Sequence, residues 1–201
     1  MHVELEHVGH RFNRSAWLFR DLSLSLHPDR LYALTGPSGS GKSTLLSIVS
    51  GHVSPAVGWV RRIGVSRVQW VFQNPFGDPR RSVLDLVCLP LLSLGMPRRD
   101  ARIAAATLLD EFGLAEHAMS RFSTLSGGQA QRLMLARAIS AQPDLLLVDE
   151  PTAQLDSQTA ETVIGALGRL VSRGAIVVVA THDERTVRAC TDSIELMRST
   201  R

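Results

Sequence analysis

A chain of 201 residues holds one domain, with room for a small insertion, and buries a sizeable core. Hydrophobic residues make up 44 % and charged residues 20 %, a balance that excludes disordered and low-complexity chains. The net charge of +3 comes from scattered arginines with short pairs at Arg61-Arg62, Arg80-Arg81 and Arg98-Arg99. No basic stripe interleaves with aromatics, so no nucleic-acid partner is expected. The excess charge reads first as a solvated surface, then as a match for anionic lipid or an acidic partner.

The longest apolar-rich stretch, Val83 to Met96, contains Asp85 and Pro90 and is too short to span a bilayer. Met1-His2-Val3-Glu4 lacks the basic-then-apolar pattern of a secretory signal. Cys88 and Cys190 lie far apart and form no C-x-x-C, so neither a structural disulfide nor zinc is expected, and a reducing cytosol is.

Val3 to Val8 alternates as a half-buried strand does. His10 to Ser15 is polar and turn-like, and Phe12 within it either stacks on a base or tucks into the neighbouring strands. Leu22 to Leu26 (L-S-L-S-L) is the cleanest strand pattern, and His27 to Arg30 is a turn. The opening therefore predicts a small antiparallel sheet leading into a parallel one.

Leu31 to Leu34 then enters the stretch Gly36-Pro37-Ser38-Gly39-Ser40-Gly41-Lys42-Ser43-Thr44, and Leu45 to Val49 leaves it as a helix. This is G-x-x-x-x-G-K-[ST] in its required strand–loop–helix setting. Glycines let backbone N–H groups close on phosphate oxygens, and the helix N-terminus adds donors and partial positive charge. Lys42 is positioned to reach the outer phosphates and the Ser43 hydroxyl to hold Mg²⁺. Lys42 is also the one lysine among 22 basic residues, which fits a slim point charge inside a tight loop better than a planar guanidinium would.

Gly51 to Gly58 reads as loop, Val60 to Val65 and Val68 to Phe72 as short strands, and Gln73 to Pro79 as turns. Gln73, at a strand end, either presents its amide carbonyl to a metal or water or is an ordinary loop residue. Ser82 to Leu94 and Arg98 to Phe112 carry helical periodicity. In the second, Ile103, Ala106, Thr107 and Asp110 fall at i, i+3, i+4 and i+7 and form a partly apolar stripe, with Pro97 at the helix start. This helical block, up to about Ser123, interrupts an α/β pattern and reads as an insertion.

Ser126-Gly127-Gly128-Gln129 opens a helix over Ala130 to Ile139, and is either a second anion cradle or a hinge. Leu145 to Val148 reads as a strand buried on both faces, with Asp149 and Glu150 at its C-terminal end, where open α/β sheets place ligands. Adjacent strand residues point opposite ways, so either one carboxylate can face a Mg²⁺ shell and the other an attacking water, or the pair is a strand end frayed into solvent. Asp156 caps a helix to Val171, and Ala175 to Ala180 is another buried strand. Thr181-His182-Asp183 follows, where His182 either donates to a γ-phosphate or serves as a structural cap. A helix to Cys190 and a strand over Ser193 to Met197 complete the pattern.

Taken together, GPSGSGKST at 36–44, Gln73, LSGGQ at 125–129, LLLVDEP at 145–151, LD at 155–156 and THD at 181–183 resemble, in order and spacing, the nucleotide-binding subunits of ABC transporters. The resemblance spans essentially the whole chain. It implies an α/β fold, a P-loop NTPase core of ABC type with a small antiparallel β subdomain, residues 1–77 and 124–201 forming the core and 78–123 an inserted α-helical subdomain. It implies ATP and Mg²⁺ as ligands, Phe12 as the adenine-stacking aromatic, and Gln73 linking Mg²⁺ and water to the helical block. Asp149 takes the Mg²⁺-shell role, Glu150 that of general base and His182 that of the γ-phosphate switch. Ser126, Gly127, Gly128, Gln129 and Asp156 would complete the ATP site of a second copy in a homodimer.

With no span of its own, such a subunit delivers work to a separate permease, expected to dock near Gln73 and residues 78–95 and to hold it on the cytoplasmic face of the membrane. The run L-D-L-V-C-L-P-L at 84–91 resembles the lipoprotein-release and macrolide-export branch, implying efflux or membrane extraction of heme, peptide, drug or lipoprotein-type cargo. An importer ATPase and a cell-division-type ATPase that transports nothing are the other readings within the family. Three departures stand out: Asp29-Arg30 where the family usually has Gly-Glu, Ala153-Gln154 before LD where Ser-Ala is common, and Phe122 where a proline often precedes LSGGQ.

Overall fold

The computed structural model describes residues 1–13, 16–152 and 155–197. Eight strands and six α-helices alternate along the described chain: β1 (His2–His10), β2 (Phe19–Leu26), β3 (Arg30–Thr35), α1 (Lys42–Ser50), β4 (Val57–Ile63), β5 (Val68–Val71), α2 (Val83–Ser93), α3 (Arg98–Glu111), α4 (Gly127–Ser140), β6 (Leu145–Asp149), α5 (Ser157–Val171), β7 (Ile176–Ala180), α6 (Glu184–Ala189) and β8 (Asp192–Glu195). Short 3₁₀ turns at Ala115–His117 and Phe122–Thr124 bridge α3 to α4.

Two sheets result. An antiparallel sheet runs β2-β1-β4, and a parallel one β5-β6-β7-β3-β8. β6 and β7 sit inside the parallel sheet and are buried at every position. Their residues alternate between two cores, as period two requires. Leu146, Val148, Val177 and Val179 pack with α2 to α5, whereas Leu145, Leu147, Ile176 and Val178 pack with α1 and the antiparallel sheet. That double burial is why these strands read as continuous apolar runs and not as alternating ones.

The apolar run at 83–96 is explained the same way. Val83, Leu84, Leu86, Val87, Cys88 and Leu91 of α2 are buried in the core shared with α4, α5 and the parallel sheet. Among the described residues, no helix is long and apolar enough to cross a membrane.

Some expectations need correction. The buried face of α3 is Ala101, Ala105 and Leu109, while Ile103 is 59 % exposed and Ala106, Thr107 and Asp110 face solvent. The apolar members of the expected stripe, Ile103 and Ala106, are exposed, and helical spacing did not single out the small alanines that let α3 lie close to α2. β1 extends through His10, which is buried, where a turn was expected. β4 begins at Val57, inside the expected loop, because it pairs antiparallel with β1 from Gly9↔Val57 to His2↔Ile63. Arg14 and Ser15 of the expected turn, and the departure at Ala153-Gln154, lie outside the described residues.

Candidate functional site

Register brings the site together. Leu34 of β3 pairs with Ala180 of β7, and Ala180 pairs with Asp149 of β6. The three strands therefore end in one row, and the segments that leave them, Gly36–Gly41, Glu150 and Thr181–Asp183, share one rim. Residues from each of these segments help line a cleft of about 680 Å³ bounded by Phe12, Leu18, Gly36, Pro37, Ser38, Gly39, Gly41, Lys42, Ser43, Thr44, Gln73, Asp149, Glu150 and His182.

The phosphate loop is built on strained backbone that only glycine tolerates well. Gly36 and Gly41 have φ of 141° and 99°, and a Cβ on Gly36 would meet the Leu196 carbonyl oxygen at 2.4 Å. Gly41 packs against Phe19 and Leu18 and leads directly into α1, so the first helical N–H groups open into the cleft. The Lys42 ammonium donates to the Gly36 carbonyl at 2.9 Å and to the Pro37 carbonyl at 3.3 Å, which holds its charge over the loop. Ser40 is the loop residue that turns inward: it is fully buried and does not line the cleft, and its hydroxyl finds no partner among the described residues.

The carboxylates occupy different surroundings. Asp149 is buried, and that burial pushes its carboxyl above the ordinary range, against the pull of the Ser43 hydroxyl and with a further push from the Glu150 charge. A buried carboxylate beside a second one favours a neighbouring cation. Ser43, Asp149 and Gln73 offer oxygen donors, the set that suits Mg²⁺ carried in on phosphates. Glu150 has a left-handed φ of 51°, rare for a side-chain-bearing residue, and its N–H is held by the Ala180 carbonyl at 2.8 Å. One carboxylate oxygen meets His182 Nδ1 at 2.9 Å, and the other is buried with no partner among the described residues.

Phe12 lines the cleft while remaining exposed, its ring edge-on to His10 with centroids 4.9 Å apart. Gln73 is exposed and lines the same cleft, two residues past β5. Ser126, Gly127, Gly128, Gln129 and Asp156 are not among the residues lining it. Ser126 caps α4 through a capping box: its hydroxyl accepts the Gln129 N–H at 3.3 Å, and Gln129 Oε1 accepts the Ser126 N–H at 2.9 Å. The rest of the Gln129 amide turns to His117 at 2.8 Å. Asp156 is exposed and caps α5 by accepting the Thr159 N–H at 3.0 Å.

Sequence reasoning missed several contributors. Leu18 walls the cleft, held by its N–H on the His10 carbonyl at 3.0 Å, and falls between the expected turn and the next expected strand. Gln131, 4 % exposed, donates to the Phe72 carbonyl at 3.4 Å and so links α4 to the segment that carries Gln73. A polar residue on the apolar side of a helix was the available signal. Asp183 and Arg185 gather Thr152, Thr186 and Ser157, a set that no spacing rule brings together.

Comparison with known proteins agrees with this arrangement. A family profile described as "ABC transporter" matches residues 19–153. The lipoprotein-releasing system ATP-binding protein LolD of Maricaulis maris is 39 % identical over 182 residues, covering 83 % of this chain and 80 % of that protein. The pyoverdine export ATP-binding/permease protein PvdT of Pseudomonas entomophila is 34 % identical over 194 residues, 89 % of this chain but 30 % of its own length. In structure, a dimeric post-hydrolysis state of the ATP-binding cassette MJ0796 bound to ADP and Pi superposes with a TM-score of 0.88 at 29 % identity, covering 98 % of this chain and 97 % of that one. By sequence, by fold and by the phosphate loop, carboxylate pair and histidine on one rim, the chain belongs to the ABC transporter family, as its ATP-binding, ATP-hydrolysing cassette.

Proposed function

We propose that the chain is the motor subunit of an export or membrane-extraction system, closing on ATP with a second copy of itself and driving a separate permease. The observation that carries this reading is the split between the rim, where Glu150 and His182 meet at 2.9 Å beside Lys42 and Asp149, and the LSGGQ segment outside that cleft. In a head-to-tail pair Ser126, Gly127 and Gly128, with Gln129 fixing their cap and Asp156 at the seam, finish the partner's site. ATP then acts as the joint between subunits. The dimeric MJ0796 cassette supports such a pairing.

In this reading Phe12 stacks on the adenine, while Gly36–Thr44 and Lys42 hold the phosphates. Mg²⁺ would be held by Ser43, Asp149 and Gln73 and would neutralise charge on the phosphates. Glu150 orients and deprotonates the attacking water, and His182 donates toward the γ-phosphate while steadying Glu150. Phosphoryl transfer asks mainly for positioning and charge stabilisation, which these groups supply. Hydrolysis removes the joint and the pair opens.

The permease docks near Gln73 and residues 78–95, which would hold the cassette at the cytoplasmic face of the membrane. A groove of about 250 Å³ lined by Trp70, Phe72, Phe76, Met134 and Arg137 lies beside Gln73, and Phe76 is 85 % exposed at its edge. Such an exposed aromatic anchor suits an apolar partner helix. The names of two relatives, one an export protein and one a lipoprotein-releasing protein, support the outward direction.

The test is Glu150→Gln. The variant keeps the shape of the site but loses the base, so turnover is expected to fall at least about a hundredfold while ATP accumulates in a stable dimer, read by gel filtration. Wild-type turnover, or a monomer at saturating Mg·ATP, overturns the reading.

A further inference from the structure

Asp183 does more than follow His182. One of its carboxylate oxygens accepts the Arg185 N–H at 3.1 Å and Nε at 3.2 Å. The other accepts the hydroxyls of Thr152 at 3.1 Å and Thr186 at 3.2 Å. Thr152 is 3 % exposed and stands two residues past Glu150. The Arg185 guanidinium then reaches the Ser157 hydroxyl at 2.8 Å, at the first residue of α5 and next to Asp156. Capping α6 requires only the bond to the Arg185 N–H. The remaining bonds tie Thr152 and Ser157 to the strand end that carries His182. Although burial pushes the Asp183 carboxyl up, its bonds to Arg185 and Thr152 hold it below the ordinary range.

We propose that Arg185 is a positioning residue: with Asp183 it clasps Thr152 and Ser157, so that Glu150, His182 and Asp156 keep one relative placement when two copies close on ATP. The proposal rests on the reading that Asp156 meets a second copy. A guanidinium suits the task because its planar fork engages a carboxylate and a hydroxyl at the same time, which an ammonium does less well. The clasp lies outside the residues lining the nucleotide cleft, so its loss should spare binding and slow turnover.

The test uses the full chain with Arg185→Ala, Arg185→Lys, Ser157→Ala and the Arg185→Ala/Ser157→Ala pair. Steady-state ATPase, fluorescent-nucleotide binding to the monomer and thermal midpoint are measured on each. Arg185→Ala is expected to lower kcat about tenfold with monomer nucleotide affinity within about twofold of wild type. Arg185→Lys should recover part of the loss, and the double variant should be no slower than Arg185→Ala, because both changes cut the same link. Unchanged kcat in Arg185→Ala, or losses that multiply in the double variant, would overturn the clasp. Should Arg185→Ala fail to fold, Arg185→Lys and Ser157→Ala decide the matter by the same kcat-against-affinity split. Glu150→Gln serves as the separate control: its failure to dimerise overturns the motor reading, whereas a Glu150→Gln dimer alongside wild-type turnover in Arg185→Ala overturns the clasp alone.

Discussion

Glu150 and His182 meet at 2.9 Å from the ends of neighbouring parallel strands, and the contact follows from register. Asp149 pairs with Ala180, so Glu150, one residue past β6, and His182, two past β7, stand on the same rim. The histidine is 75 % exposed at its side chain and the glutamate 10 %, which places the imidazole at the mouth and the carboxylate within. His182→Ala should therefore leave nucleotide binding within about threefold of wild type and lower kcat by about a hundredfold or more, as loss of a positioned proton-sharing partner does. Single-turnover kinetics check it, and an equal loss in binding and turnover would assign His182 to binding instead.

Asp149 sets function against stability. Its native carboxyl is raised above the unfolded value by burial, so the ionised form opposes folding. The folded state binds the proton more tightly, and stability falls as pH rises from the unfolded carboxyl value through the raised native one. Asp149→Asn removes that cost at neutral pH. The nucleotide-free variant is expected to melt about 2–4 °C higher at pH 7, with the gain disappearing below about pH 4, where both states carry the proton. Its added stability from Mg·ATP should shrink in the same calorimetric scans.

Much of this site was legible because its residues sit in fixed local settings. A phosphate loop needs a strand before it and a helix after it, and β3 and α1 supply both. Asp149 and Glu150 could be placed at a strand end because four apolar residues precede them. The buried face of α3 was not legible, since Ala101 and Ala105 matter by being small and not by being hydrophobic. Nor was the clasp from Asp183 to Ser157. It joins two loops that only the adjacency of β6 and β7 makes neighbours, and sequence spacing carries no record of which strands pair.

Asp144 holds the opposite end of the parallel sheet. Burial pushes its carboxyl up, but the N–H groups of Arg67 and Ser66, each at 2.8 Å from one oxygen, and the Arg67 guanidinium bring it below the ordinary range. Its backbone carbonyl also takes the Ile176 N–H at 2.9 Å, so one residue ties the starts of β5, β6 and β7. The native pKa is depressed, so this stability is present above the unfolded carboxyl value and is lost as pH falls through the native one. Asp144→Ala is expected to cost about 2–3 kcal/mol at pH 7, the loss of charge-assisted bonds to two backbone donors. In urea titrations the difference from wild type should shrink steadily below about pH 4, and a difference independent of pH would point to packing instead.

Gly36 separates two reasons for a glycine. Its φ of 141° is one that L side chains rarely adopt, and a Cβ there would also run into the Leu196 carbonyl just past β8 at 2.4 Å. Gly174 has a φ of 89° with nothing within 4 Å of its added Cβ, so only the conformational cost applies there. Gly174→Ala should cost about 1 kcal/mol and leave nucleotide binding unchanged. Gly36→Ala should cost about 2–4 kcal/mol, because backbone has no rotamer with which to yield. Relief would come by pushing the phosphate loop away from β8 and out of the row set by Leu34, Ala180 and Asp149, so nucleotide affinity should fall with stability. Urea midpoints and nucleotide titrations on the two variants read the contrast: equal costs with binding intact in both would mean that β8, not the loop, gives way.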